Sequence, residues 1–184
     1  MFIIKKNYYL YIDNTKSFNL DLLKHSHKFS IIYRNSILSE NIKQIIFFKK
    51  KCDRKKIKFY IANNYNLAKK CSAYGLYLSS YNKKIYHNIN VIGSAHNFRE
   101  IIEKINQGCK TIILSRLFSV NYREKKSFYG LIRFNLINQK FKLSIIPLGG
   151  INYYNLLKLK ILNSNGFAIL SALKKKPALI SRLF

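Results

Sequence analysis

The chain has 184 residues, 48% of them hydrophobic, which is enough to bury the core of one domain. Lys and Arg outnumber Asp and Glu by 34 to 7, and the net charge of +27 raises the question of a nucleic-acid partner. The basic residues are spread along the chain in short groups, without zinc-finger spacing or an aromatic RNA-binding motif. We therefore interpret them as solvated helix faces and do not expect nucleic acid to be the partner.

The cysteines and the apolar runs exclude two further classes. Cys52, Cys71 and Cys109 are odd in number and lack metal-ligand spacing, which indicates reduced thiols in a cytoplasmic protein. No run approaches the roughly 18 apolar residues of a membrane span. The opening residues also lack the order of a secretion signal. We therefore expect a soluble protein without a membrane anchor.

Eight short apolar runs alternate with segments of helical spacing. The predicted strands are Tyr8–Ile12, Phe29–Tyr33, Ile57–Ile61, Gly75–Leu78, Asn90–Ile92, Thr111–Leu114, Ile145–Leu148 and Gly166–Leu170. Such alternation is typical of parallel strands joined by right-handed crossovers. The count of eight favours closure, so the predicted fold is α/β, a single (β/α)8 TIM barrel over residues 1–184. Its loops must be short, since about 200 residues is near the lower limit for this fold.

The predicted helices differ in the strength of their spacing. Ser39 is a candidate cap for a helix whose apolar residues recur at three and four positions and whose end is basic. Phe18–Lys24 has only weak helical spacing. The remaining helical segments are Tyr65–Cys71, a helix from Phe98 to Gly108, Tyr129–Asn138, a stretch after Gly150, and Leu173–Phe184.

The strand ends near the C-terminus carry small residues. Ile145–Leu148 ends on Gly149-Gly150, and Gly166–Leu170 ends on Ser171-Ala172. Glycine lets the backbone approach an anion, and the N-terminus of the following helix offers free N–H groups. The loops after the seventh and eighth strands are the usual phosphate site of a TIM barrel. These four residues predict a phosphate site, and the alternative is a glycine-rich turn without a ligand.

Five segments of the chain resemble the thiamine phosphate synthase/TenI family of barrels. In chain order they are IANNYNLAKKCSAYGLYLSS (61–80), IGSAHNFREI (92–101), TIILSRLFSV (111–120), IIPLGGI (145–151) and NGFAILSAL (165–173). Each motif is weak by itself, but the five follow the family's order and separations. The resemblance implies a protein of thiamine biosynthesis that binds thiazole phosphate or thiamine phosphate.

The resemblance also implies roles for particular residues. It assigns the phosphate to Gly149, Gly150, Ser171 and Ala172, and substrate or pyrophosphate contacts to Arg34, Ser94 and Arg123. His96 and Arg123 are the candidate catalytic residues. For His96 the alternative is a hydrogen-bonded residue at a strand–helix junction.

The departures from the family concern the metal and the proton-transfer residue. The synthases hold Mg²⁺ on two aspartates, and Asn63 and Asn82 stand at those positions. Since an amide supplies no negative charge, the Mg²⁺ cofactor that the resemblance implies is in doubt. The TenI tautomerases place a histidine where this chain has Arg116, and arginine does not exchange protons near neutral pH. We therefore predict weak or absent synthase activity.

Two alternatives to a synthase-like or tautomerase-like enzyme stay open. The chain could be a non-catalytic or regulatory barrel that binds a phosphorylated ligand of the same pathway. A basic barrel bound to nucleic acid is the other, and it requires the lysines to converge on one face. The resemblance leaves the oligomeric state open, with a homodimer as one possibility.

Overall fold

The structure, a computed structural model, describes residues 5–16, 18–35, 40–120 and 127–170. Eight parallel strands follow one another around a closed barrel in chain order. They are β1 (Asn7–Ile12), β2 (Phe29–Tyr33), β3 (Lys58–Ala62), β4 (Gly75–Leu78), β5 (Asn90–Ala95), β6 (Thr111–Ser115), β7 (Ser144–Leu148) and β8 (Gly166–Ile169). The predicted TIM barrel is confirmed, and each predicted strand is present within a few residues of its expected bounds.

The barrel closes where the first and last strands meet. Leu10 of β1 pairs with Ile31 of β2 on one side and with Ile169 of β8 on the other. Because all strands are parallel and closed, their carboxyl ends meet at one rim, where the ligand sites of this fold lie. β5 runs to Ala95, three residues beyond its predicted end, so Ser94 belongs to the strand and not to the turn after it.

Four α-helices and the longest of three 3₁₀ helices cover most of the outside of the barrel among the described residues. They are α1 (Ile42–Arg54), α2 (Tyr65–Lys70), α3 (Phe98–Asn106), α4 (Gly130–Gln139) and the 3₁₀ helix Tyr153–Ile161. The cap of α1 is Asn41, whose side chain accepts from the Lys43 amide, so the prediction of a Ser39 cap is wrong. None of the helices in the described ranges has the length and apolar character needed to cross a membrane.

Two connections lack the helix that an ideal barrel would have. The predicted helix Phe18–Lys24 is wrong, because the structure has a 3₁₀ turn at Leu20–Leu22 and another at Ser26–Lys28. Leu20 and Leu23 are buried, so two turns suffice to cover the barrel at this place. The β4–β5 connection, residues 79–89, is irregular. The predicted helix Leu173–Phe184 lies outside the described residues.

The inside of the barrel is unusually rich in tyrosine. Side chains alternate along each strand, so Tyr9 and Tyr11 of β1 point inward while Leu10 points toward the helices. The inner cluster comprises Tyr9, Tyr11, Ile32, Tyr60, Tyr77, Ile92, Ile113, Ile146 and Ala168. Gly75 gives room to Tyr60, because a Cβ at Gly75 would lie 2.8 Å from the Tyr60 ring. Tyr11 and Tyr77 form the end of this cluster that faces the carboxyl rim.

The cysteines belong to the packed interior. Cys52, Cys71 and Cys109 are buried free thiols. Burial raises the pKa of Cys52 to about 12 and that of Cys109 to about 11, so both stay protonated at neutral pH. Their surroundings are those of structural residues.

Candidate ligand pocket at the carboxyl rim

A cavity of about 350 Å³ opens at the carboxyl ends of the strands. The residues that line it follow or end seven of the eight strands, and they are Tyr11, Arg34, Tyr77, Ser79, Ser80, Tyr81, Ser94, His96, Ser115, Arg116, Leu148, Gly149, Gly150, Ile151, Ala168, Ile169 and Leu170. The sequence predicted five of these residues as site residues, and the structure brings all five together. They are Arg34, Ser94, His96, Gly149 and Gly150. The other three, Arg123, Ser171 and Ala172, lie outside the described residues.

The charge of the cavity is positive. Arg34 follows β2, and its backbone amide donates to the Ile12 carbonyl at 2.8 Å, which ties it to the end of β1. Arg116 follows β6, and its guanidinium donates to the Ser127 carbonyl at 3.3 Å. No carboxylate is found among the described lining residues. Two guanidinium groups in such a setting favour a phosphate or a carboxylate as ligand.

The Gly149-Gly150 turn is packed tightly against the loop after β6. Both residues have positive φ, +100° and +69°, a region that glycine adopts without strain. A Cβ at Gly150 would lie 2.6 Å from the carbonyl oxygens of Phe118 and Ser119. Phe118 in turn donates its amide to the Gly149 carbonyl at 3.1 Å. Glycine is therefore required here by close backbone packing, whether or not a ligand is bound.

Three amides at the start of the helix that follows this turn have acceptors within the helix cap. The Asn152 side chain accepts from the amides of Tyr154 and Asn155 at 3.0 and 3.2 Å, and the Asn155 side chain accepts from the Asn152 amide. This reciprocal capping box satisfies the donors itself. The expectation that the helix N-terminus contributes free N–H groups to a phosphate is thus wrong for these amides.

His96 is held at the junction of β5 and α3. Its ring Nδ1 and the Ser115 hydroxyl form a hydrogen bond of 2.8 Å between adjacent strands. Its amide donates to Glu100 at 2.8 Å, and its carbonyl accepts from the Tyr129 hydroxyl at 2.6 Å. The structure therefore contains the hydrogen-bonded junction residue that was the alternative for His96, with the ring on the cavity wall.

The two positions where the family has aspartates are joined to each other. The Asn63 side-chain oxygen accepts from the Ser79 amide at 3.0 Å, from the Ser79 hydroxyl at 3.1 Å and from the Asn82 side chain at 3.1 Å. The Asn63 side-chain nitrogen donates to the Tyr81 hydroxyl at 3.1 Å. The oxygen that would face a cation is thus fully used by protein donors.

Asn63 and Asn82 supply neutral oxygens at the positions where the family implies carboxylates for a magnesium ion. Mg²⁺ is held through carboxylates, and the described part of the chain contains no group of three His, Cys, Asp or Glu side chains that could hold a metal. Asp13 follows β1 and is exposed, while Glu40 accepts from the Thr15 amide and the Tyr33 hydroxyl. The donor set at Asn63 and Asn82 is neutral, and its best-placed oxygen is occupied.

Sequence reasoning did not assign Tyr11 or Ser115 to the site. Tyr11 could have been found from its period, because it lies two residues before Asp13 on a strand whose alternate positions point inward. Ser115 has no such signal, since its contact with His96 depends on the pairing of β5 with β6.

Comparison with known proteins agrees with the fold. The family model described as thiamine monophosphate synthase matches residues 21–173. The thiamine-phosphate synthase of Clostridioides difficile is 28% identical over 126 residues, 65% of this chain and 60% of that protein. The synthase of Clostridium perfringens strain SM101 is 28% identical over 147 residues, 76% of this chain and 71% of that protein. The chain thus spans well under the full length of these relatives.

Two solved structures show how far the architecture is shared. The thiamine phosphate pyrophosphorylase of Pyrococcus furiosus superposes with a TM-score of 0.76 at 16% identity, over 97% of this chain and 92% of that one. The phosphoribosyl anthranilate isomerase of Thermotoga maritima has a TM-score of 0.68 at 13% identity, over 97% and 96%. These likenesses establish the TIM barrel, while the family model covers most of the sequence. The chain belongs to the thiamine phosphate synthase/TenI family.

Proposed function

We propose that the chain binds thiazole phosphate or thiamine phosphate in the pocket at the carboxyl rim. The observation that carries the proposal is the joint presence of Arg34, Arg116 and the Gly149-Gly150 turn around one cavity without a described carboxylate. Two guanidinium groups and serine hydroxyls complement the charge and the acceptor oxygens of a phosphate. The membership of the family and the relatives named thiamine-phosphate synthase support a thiazole as the rest of the ligand.

The size and walls of the cavity support the same class of ligand. A volume of about 350 Å³ is that of a site for a small molecule. Tyr11 and Tyr77 at its floor and Tyr81 at its side are aromatic, which suits a heteroaromatic ring. The ligand would then have its phosphate near the arginines and its ring against the tyrosines.

We expect synthase activity to be weak or absent. The reaction would form a bond between the methylene carbon of a pyrimidine methyl pyrophosphate and the thiazole nitrogen, with pyrophosphate leaving. The leaving group needs strong stabilisation of its negative charge. Arg34 and Arg116 can supply part of it, but the Asn63 oxygen is occupied and carries no charge that could hold a divalent ion.

The hydrogen bonds around Asn63 favour a second candidate function, a non-catalytic barrel that binds the phosphorylated ligand as a carrier or regulator. In that case the amide network keeps the rim in shape without a metal. If chemistry is retained, His96 is the proton-transfer candidate, since its ring lines the cavity and is oriented by Ser115.

Calorimetric titration tests the proposal directly. Thiazole phosphate, thiamine phosphate and pyrophosphate are each titrated with and without Mg²⁺ at physiological salt, because the high positive charge would exaggerate anion binding at low salt. We expect binding of the phosphorylated thiazoles that changes little with Mg²⁺. Absence of binding for both compounds would refute the proposal. A coupled assay that finds ordinary Mg²⁺-dependent turnover would refute the loss of synthase activity.

A further inference from the structure

The hydroxyl of Tyr11 lies at the floor of the rim pocket without a hydrogen-bond partner. The side chain is 2% exposed and belongs to the lining of the cavity. Among the described residues, it is the one buried side-chain nitrogen or oxygen for which no partner is found. A buried hydroxyl in this state costs free energy, and a phenylalanine would fill nearly the same volume without that cost. Packing alone therefore does not explain why a tyrosine, and not a phenylalanine, lies at this position.

The surroundings keep this hydroxyl protonated. Burial raises the pKa of Tyr11 well above its ordinary value of 10.0, and the nearby hydroxyl of Tyr77, which does not meet hydrogen-bond geometry with Tyr11, raises it further. The two rings pack edge to face, with their centroids 5.5 Å apart. Arg34 acts in the opposite direction on the same pKa. Tyr11 is thus a hydrogen-bond donor at neutral pH.

Tyr9 and Tyr33 are two barrel tyrosines that can be compared with Tyr11. Tyr9 is two residues earlier on the same strand and points into the same interior. The hydroxyl of Tyr33 donates to Glu40 at 2.7 Å. Tyr9 does not line the rim pocket, whereas Tyr11 does. The unused donor is therefore found where a ligand can reach it.

We propose that Tyr11 is a ligand-binding residue whose hydroxyl donates a hydrogen bond to a ring nitrogen in the heteroaromatic part of the phosphorylated ligand. The inference rests on the proposed function and extends it from the phosphate to the ring. With the phosphate near Arg34 and Arg116 at the rim, the other end of the ligand faces the floor, where Tyr11 and Tyr77 lie. The donor then selects for rings that carry an acceptor at that end.

Two compounds can present this acceptor from different rings. In thiazole phosphate the thiazole nitrogen has a free lone pair. In thiamine phosphate that nitrogen is alkylated, and the acceptors are the nitrogens of the aminopyrimidine. Inorganic pyrophosphate has neither ring and reports on the arginines alone. The three compounds therefore separate the ring contact from the phosphate contact.

The test compares Tyr11→Phe with Tyr33→Phe in the full chain. Affinities for thiazole phosphate, thiamine phosphate and pyrophosphate are measured by calorimetry, and stability by thermal unfolding. For Tyr11→Phe we expect about tenfold weaker binding of at least one heteroaromatic phosphate. Its pyrophosphate affinity and its melting temperature should not fall. For Tyr33→Phe we expect the reverse, a lower melting temperature and unchanged affinities, because this variant removes the hydrogen bond to Glu40 away from the pocket.

The outcomes separate the inference from the function on which it rests. A loss confined to thiazole phosphate identifies the thiazole nitrogen as acceptor, and a loss for thiamine phosphate identifies the pyrimidine; both support the inference. Wild-type affinities in Tyr11→Phe would overturn it and leave the proposed function intact. An equal loss for pyrophosphate together with a lower melting temperature would assign Tyr11 a structural role and overturn it as well. If the wild type binds neither heteroaromatic phosphate, the proposed function fails, and the inference fails with it.

Discussion

The side-chain amide of Asn82 donates a hydrogen bond to the side-chain oxygen of Asn63 at 3.1 Å, across the rim between the end of β3 and the β4–β5 connection. The backbone carbonyl of Asn82 is held from below by Lys104 and Gln107 at 2.7 and 3.0 Å. This connection has no helix, and the network fixes its first residues to the barrel wall. The family resemblance implies a metal between these two positions. In this chain a hydrogen bond between their side-chain amides connects them.

The first prediction concerns magnesium. We expect the melting temperature of the wild type to be unaffected by Mg²⁺, because the Asn63 oxygen has three protein donors. The double variant Asn63→Asp, Asn82→Asp should show a rise in melting temperature on addition of Mg²⁺, since two carboxylates at this distance form an oxygen site for a hard cation. Thermal unfolding with and without Mg²⁺ measures both.

A charge-matched control accompanies this experiment. Asn88→Asp with Asn106→Asp adds the same two charges at exposed positions and should show no response to Mg²⁺. A clear Mg²⁺ response of the wild type would contradict the prediction.

The second prediction concerns Arg34. Replacing Arg34 by Gln should weaken pyrophosphate binding about tenfold or more, because a charge-assisted hydrogen bond to a phosphate oxygen contributes about 1.5–3 kcal/mol. Arg99→Gln is the control, since it removes the same charge from a side chain that is 90% exposed on α3 and paired with Glu103. Calorimetry at physiological salt compares the two. Equal losses in both variants would mean that net charge, and not the pocket, binds the anion.

The third prediction concerns the glycine turn. Gly150→Ala should destabilise the chain by at least about 3 kcal/mol, because the added Cβ would meet two backbone carbonyls in addition to the strain of positive φ. Gly108→Ala has the same kind of strain, with φ at +80°, but nothing lies within 4 Å of its Cβ. We expect that variant to lose only about 1–2 kcal/mol. Urea unfolding gives both values, and similar losses would exclude a packing role for Gly150.

The fourth prediction concerns the buried ammonium of Lys104, which donates to Asn82 and to Gln107 at 2.7 and 2.8 Å. Burial lowers the pKa of Lys104 below its ordinary value of 10.5, and nearby Lys83 lowers it further. Three other neighbours raise the same pKa by smaller amounts, and they are Cys109, Glu103 and Glu100. The unfolded chain thus binds the proton more tightly than the folded chain. The penalty for burying the charge is present at low pH and is relieved as pH rises from the lowered pKa toward about 10.5.

Lys104→Met lacks this contribution. The free energy of unfolding of the wild type relative to Lys104→Met should therefore rise with pH in the alkaline range below about 10.5. Urea unfolding across that range measures the difference, and the exposed Lys110→Met serves as control. A difference that is flat or falls with pH would show that the folded chain does not lower the pKa of Lys104.

The fold was predictable because its determinants are local. Ile145–Leu148 reads as a buried strand from four consecutive residues, and eight such runs in alternation admit few topologies. The prediction was wrong at Phe18–Lys24, where the helical spacing was weak. A short 3₁₀ turn there is enough to bury Leu20 and Leu23 against the barrel. The cap at Asn41 in place of Ser39 is an error of two residues in a sequence with polar residues at both positions.

The sequence predicted which residues lie at the site, but not which of their atoms form hydrogen bonds with each other. The order of strands puts Arg34, Ser94, His96, Gly149 and Gly150 at the carboxyl rim, and the tertiary structure gathers them around one cavity. The pairing of their polar atoms could not be read from the chain. Asn63 and Asn82 are 19 residues apart, and the contact between them exists because β3 and β4 are neighbours.

The amino-acid sequence by itself determined the strands, the inward and outward faces, the glycine turn and the excess of positive charge, because each depends on residues that are close in the chain. The tertiary structure decided which donors and acceptors are satisfied: Asn63 with three partners, the amides after Asn152 capped, and the Tyr11 hydroxyl without a partner among the described residues. A hydrogen bond requires its donor and acceptor atoms to lie about 3 Å apart. For atoms on different strands, only the closed barrel sets that distance.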